Sequence, residues 1–258
     1  MRKELAALAT IPFAAACGKK DSVTIAPVAS SLSASTAASG SSEAVWHFAI
    51  DERGTSHIDM PGITEHIFAD TSGASGTLDV VPADLARSRG MVRIDLSKLS
   101  TSTFHDHRDV DQTEHARTWL EVVVEGNTNE TMRWAEFAIR SVDGLSAPDL
   151  GKAAVTKDGA DDVRKVSAVV HGDLLVHGHK VPKDDAVEIT FRYPSGGAEA
   201  NPTRVEVTST QPMRVVLKEH GVEPRDPAGK LAAWTSRLVS KVAETADVTV
   251  NIAAVPAP

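Results

Sequence analysis

The stretch "VVHGDLLVHGHKVPKDDAVEITFRY", residues 169–193, carries the pattern that decides the fold. In its second half Val187, Ile189, Phe191 and Tyr193 alternate with Glu188, Thr190 and Arg192. That period of two belongs to a strand with one buried and one wetted face. In its first half His177 and His179 flank Gly178, which reads as a turn or bulge. Taken instead as metal ligands, His171, His177 and His179 would be separated by apolar residues along a strand, so the turn is the better reading.

The same alternation recurs on both sides. "VWHFAID" puts Trp46, Phe48 and Ile50 on one face, and "MVRIDLS" sets Val92, Ile94 and Leu96 against Arg93, Asp95 and Ser97. Further along, "TRVEVTST" contributes Val205 and Val207, "MRVVLKE" Val215 and Leu217, and "DVTVNIA" Val248, Val250 and Ile252. Strands apolar on one face and charged on the other, joined by Gly- and Pro-containing turns, predict a mostly antiparallel all-β sheet. Roughly eight to ten strands fit, and closing such a sheet removes its exposed edges. In a closed barrel the apolar side is the interior. It holds Phe48, Ile94, Leu96, Phe137, Ile139, Val187, Ile189, Phe191, Val205, Val207, Val215 and Leu217 as candidate cavity-lining residues. Aliphatic residues of this kind predict recognition by apolar chain length more than by head group.

The 258 residues fit one barrel domain, and the net charge of −8 argues against a nucleic-acid partner. Arg2 and Lys3 precede an apolar run from Leu5 to Ala16 that has the length of a secretory signal. The run ends in "FAAACGKK", like a bacterial lipobox, so residues 1–16 are expected to be a signal peptide and Cys17, the only cysteine, the lipidated residue. Residues 17–43, rich in Ser and Ala, read as a tether, leaving a domain over residues 44–254. The expected location is the bacterial cell envelope, lipid-anchored on the periplasmic side of the outer membrane.

Two helical segments break the alternation, the less regular of them "RDVDQTEHARTWL", residues 108–120, with its acids early and Arg117 late as the helix dipole favours. Asp226 and Pro227 form a helix start, after which Leu231, Trp234 and Leu238 fall on one stripe. This helix is either a lid over a barrel mouth or packed on the barrel wall. The less regular one begins within "FHDHRDVDQTEH", residues 104–115, which opens with His-x-His-x-Asp, most of a metallo-β-lactamase-like zinc signature. That signature needs a histidine where Val110 stands, and a helix would carry His115 about 12 Å beyond His107. A metal-dependent hydrolase using His105 and His107 therefore ranks below a decorated connecting loop. No Ser-His-Asp ordering, phosphate loop or paired-carboxylate pocket stands out, and neither catalysis nor a cofactor is expected.

"SGASGTLDVVPADLARSRGMVRIDLSKLSTST", Arg108-Asp109, "VVHGDLLVHGHKVPKDDAVEITFRY" and "MRVVLKEHGVE", in that order, resemble the YceI-like proteins. The matching positions are Gly76, Val92, Ile94, Asp95, Thr101, Thr103, Arg108, Asp109, Gly172, Leu174 and Gly178, and the resemblance spans roughly residues 44–254. It implies an extended lipocalin-like antiparallel barrel of about eight strands with one or two short helices. It also implies a long-chain amphiphile, a polyisoprenoid or fatty-acid derivative, as the ligand held inside. The sequence departs from the pattern at "ARTWLEV", residues 116–122, and in a helical insertion over 226–245. A structural module with a filled core remains the alternative.

Overall fold

The computed structural model describes residues 44–61, 66–124, 126–198, 200–223 and 243–258. Their strands are β1 (Trp46–Ile50), β2 (Thr55–Pro61), β3 (His66–Ser72), β4 (Ala74–Val80), β5 (Arg89–Asp95), β6 (Ser100–Thr101), β7 (Val123–Val124), β8 (Asn127–Thr128), β9 (Trp134–Asp143), β10 (Val155–Asp158), β11 (Asp161–Val176), β12 (His179–Tyr193), β13 (Arg204–Ser209), β14 (Met213–Val216) and β15 (Thr245–Pro256). One α-helix stands among the described residues, α1 (Arg108–Trp119).

Hydrogen-bonded neighbours run β1-β4-β5-β9-β11-β12-β13-β15, and β15 returns to β1, closing a ring of eight antiparallel strands. The shorter strands extend this ring along its axis. β15 pairs with β1 through Ala254–Pro256 and with β2 through Asp247–Asn251, so β1 and β2 act as one long bent strand. In the same way β3 continues β4, β6 continues β5, and β14 continues β13. Seen as long strands, the barrel is a simple meander in which each segment pairs with the next. That arrangement is the antiparallel, closed sheet that the alternation predicts.

Two glycines are forced. At Gly76 (φ +125°) a Cβ would lie 1.9 Å from the carbonyl oxygen of Met91, so β4 and β5 meet there only if residue 76 lacks a side chain. Gly178 shares the two-residue turn between β11 and β12 with His177, and both have positive φ (74° and 50°), the geometry of a tight hairpin.

Below the waist of the barrel a dense cluster holds Phe48, Leu78, Leu85, Leu150, Phe191 and Tyr193, all buried. The loop that bears Leu150 is fastened from inside. The Arg164 guanidinium, on a residue only 6% exposed, donates to the carbonyls of Gly151 at 3.0 Å and Ala153 at 2.5 Å. Above the waist the buried cluster is smaller: Leu174, Met213, Val215 and Ala246, with Ile58 and Val248 against it. One end is thus plugged by loops, and the other carries α1.

Candidate ligand cavity

The space between the two clusters is a cavity of about 510 Å³, within the range of small-molecule sites. On β15 its wall runs from Ala246 through Val248 and Val250 to Ile252, a length of about 20 Å at the rise of a strand. Eleven of the twelve residues expected inside line it: Ile94, Leu96, Phe137, Ile139, Val187, Ile189, Phe191, Val205, Val207, Val215 and Leu217. Phe48 does not. It lies on the same apolar face but lower, 2% exposed in the packed cluster. Ile189 and Val207, register partners on β12 and β13, are only partly buried, although they point inward, because they border the empty space.

At the upper end the cavity is rimmed by the segment that sequence reading treated as a decorated loop. Phe104, Arg108, Asp111, Gln112, His115 and Trp119 all line the mouth. α1 buries no residue of its own and is held by polar hooks. The Thr101 hydroxyl donates to the Asp109 carbonyl at 2.8 Å, and the Thr103 hydroxyl to the Gln112 side-chain carbonyl at 2.7 Å. Arg117 donates to the Leu99 carbonyl at 2.7 and 3.0 Å. The Arg108 guanidinium pairs with Asp106 at 2.9 Å and stacks 4.1 Å over the Phe104 ring. His105 and His107 are exposed, and among the described residues no group of three or more His, Cys, Asp or Glu is placed to hold a metal ion. Cys17 and the candidate lid residues Leu231, Trp234 and Leu238 lie outside the described residues. Val222 and Ala243, on either side of residues 224–242, line the cavity.

A half-buried polar contact ties the far end of α1 to the hairpin. The His177 ring meets Glu121 Oε2 at 2.5 Å through Nε2 and the His220 carbonyl at 3.1 Å through Nδ1. His220 is fully buried, and desolvation holds its imidazole below the ordinary range.

The wall is not wholly apolar. Asp185, 7% exposed, lines the cavity two residues before Val187. Its Oδ2 accepts from the Ser209 hydroxyl at 2.9 Å, while Oδ1 is buried with no hydrogen-bond partner among the described residues. Burial pushes its carboxyl up to about 6, and the Ser209 hydrogen bond only partly offsets the shift. Sequence reading missed this residue, although its parity with Val187 and Ile189 set an acid on the inner face. It also missed Ser56, Ile58 and Met60 of β2, which line the cavity and alternate in "TSHIDM".

No family model matches the sequence, and neither does any curated protein. By shape the structure is similar to a polyisoprenoid binding domain from Saccharophagus degradans implicated in plant cell wall breakdown. That match has a TM-score of 0.48 at 16% identity and covers 81% of this chain and 98% of the other. It is also similar to Burkholderia cenocepacia BcnA, with a TM-score of 0.46 at 14% identity over 79% of this chain and 98% of that one. The motif residues take structural roles in the barrel itself: Gly76 at the β4–β5 contact, Gly178 in the hairpin turn, Thr101, Thr103 and Asp109 in the hooks on α1. The chain forms an antiparallel β-barrel closed through eight strands.

Proposed function

We infer that the protein binds a long-chain amphiphile, a polyisoprenoid or fatty-acid derivative, with its apolar tail inside the barrel. The observation that carries this reading is the elongated cavity of about 510 Å³, walled mostly by apolar side chains and rimmed by α1. Each methylene buried there contributes about 0.8 kcal/mol, so a tail of a dozen or more carbons offsets the entropy lost on binding. A barrel with a filled core would have no such space. The protein acts as a carrier or binding module, and its site chemistry is burial, not bond making.

The setting we propose is the bacterial cell envelope, with the barrel held at the periplasmic face of the outer membrane by lipid on Cys17. The lipobox-like "FAAACGKK" and the Ser/Ala-rich residues 17–43 support that reading. Native mass spectrometry of the full chain, extracted from membranes without delipidation, should show added mass from a co-purifying amphiphile. A single ligand-free mass, together with no uptake of isoprenoid or fatty-acyl probes, would sink the binding claim. Cys17→Ser should move the folded protein out of the membrane fraction, and undiminished membrane attachment would sink the anchor.

A further inference from the structure

Three of the polar residues of the cavity wall lie in register with one another. Following the register across the sheet from β12, Asp185 hydrogen-bonds Ser209 on β13, whose Oγ accepts the Val250 N–H of β15 at 3.0 Å. Val250 pairs with Ser56 on β2, and Ser56 pairs with Thr71 on β3. Asp185, Ser56 and Thr71 all line the cavity, each is over nine-tenths buried, and they form a crescent at the waist between the two apolar clusters. Beside Asp185 in the wall stand Val170, its cross-strand partner, and Val187.

The hydrogen-bond directions give this crescent a polarity. Ser209 receives the Val250 N–H, so its own proton goes to Asp185 Oδ2, and the carboxylate's remaining capacity is the unpartnered Oδ1. Thr71 donates its proton to the Asp95 carbonyl at 2.8 Å, which leaves its oxygen as an acceptor. Asp185 Oδ1 and the Thr71 oxygen therefore offer acceptors at the waist, while the Ser56 hydroxyl can either donate or accept. Cationic lining groups that would suit an anion lie at the two ends instead: Arg89 where β5 begins and Arg108 at the mouth.

We propose that Asp185 is the head-group anchor of the cavity, selecting amphiphiles that end in a hydrogen-bond donor, a hydroxyl or an ammonium, over those that end in a carboxylate or phosphate. The assignment rests on the amphiphile-binding reading above and narrows it from a tail to a tail with a defined polar end. An unpartnered buried oxygen is costly in the empty protein, and a donor head removes that cost on binding while an anionic head adds repulsion.

The test is titration of the full chain at pH 8 with hexadecanol, hexadecylamine and hexadecanoate, three probes with one tail and different ends. Hexadecanol and hexadecylamine should bind at least about tenfold tighter than hexadecanoate, the factor expected of one hydrogen bond to a charged group. Asp185→Leu should erase that preference while retaining uptake of hexadecanol. The near-isosteric Asp185→Asn keeps the Ser209 bond through its amide oxygen and presents N–H to the cavity, so it should shift preference toward hexadecanoate. Equal binding of the three probes by the wild type, or a donor preference that survives Asp185→Leu, would overturn the anchor and leave tail binding intact. No uptake of any probe by wild type or Asp185→Leu would overturn the binding reading itself, and the anchor with it.

Discussion

Asp185 and Ser209 meet across β12 and β13 inside the barrel, the serine hydroxyl donating to one carboxylate oxygen at 2.9 Å while the other is buried without a partner among the described residues. A carboxylate so placed sets a pH dependence of stability. The carboxyl titrates at about 6 in the folded chain against 3.8 in its ordinary range. Below 3.8 it is protonated in both the folded and unfolded chain and costs nothing. Between the two values only the folded protein keeps the proton, so stability falls as pH rises, and above about 6 the loss is complete. At 1.36 kcal/mol per pH unit that loss is on the order of 3 kcal/mol. Asp185→Asn should therefore gain stability relative to wild type between pH 4 and pH 8, as read by urea unfolding. Parallel stability profiles for the two proteins would show that Asp185 is not desolvated.

Gly76 is the point where the barrel tolerates least. A Cβ there meets the Met91 carbonyl oxygen at 1.9 Å, and the φ of +125° is one that side chains disfavour. Gly76→Ala should cost at least about 2 kcal/mol, because backbone must move apart and a strained dihedral must be kept. Gly159, also at positive φ but with open space around its Cβ position, serves as the control. If Gly159→Ala lowers the melting temperature as much as Gly76→Ala, the close β4–β5 approach is not the cause.

The rim helix should open without the barrel opening. α1 buries no residue and is held by side-chain hydrogen bonds such as Thr101 to Asp109 and Thr113. Thr101→Val removes that hydroxyl at nearly constant volume, a loss of about 1 kcal/mol, so amide exchange in α1 should speed up roughly five- to tenfold. Exchange in β11 and β12 should not change. Acceleration spread evenly over the barrel would mean that α1 is part of the core and not a separable rim.

Those features differ in how visible they were in the sequence. The antiparallel barrel could be read because charges mark the outer face of nearly every strand. Depth could not be read: a period of two tells inside from outside but not where along the axis a residue sits. Phe48 and Phe191 share the inner face, yet loops carrying Leu85 and Leu150 close over the end where Phe48 lies. The role of α1 was hidden for a related reason. With no apolar stripe, nothing in "RDVDQTEHARTW" distinguishes a helix over a cavity mouth from a solvated connection, and the hooks that place it come from Thr101 and Thr103 elsewhere in the chain. Asp185 was legible in principle. An acid at core parity breaks the pattern that surrounds it, and such a break points to a polar function inside.

The empty space itself can be tested from the wall. Ile189 and Val207 face each other in register on β12 and β13, point inward and border the cavity, so their side chains have room on one side. Phe191 and Ile94, at 1% and 6% exposure, have far less. A charge placed at either would test the core more than the site. Enlarging Val207 to Phe should instead fill vacant volume, preserving or raising the melting temperature of the ligand-free protein while reducing uptake of a long-chain probe. Ile189→Ala should do the reverse, lowering stability by about 1–3 kcal/mol, less than a fully packed isoleucine would, because part of its surroundings is already cavity. In a filled barrel both changes would behave as ordinary core substitutions: Val207→Phe would destabilise by overpacking, and Ile189→Ala would cost the full 2–5 kcal/mol or so of a packed site. Thermal unfolding of the two variants, together with probe titration, thus separates a carrier from a structural module. A destabilised Val207→Phe with unchanged probe uptake would count against the carrier.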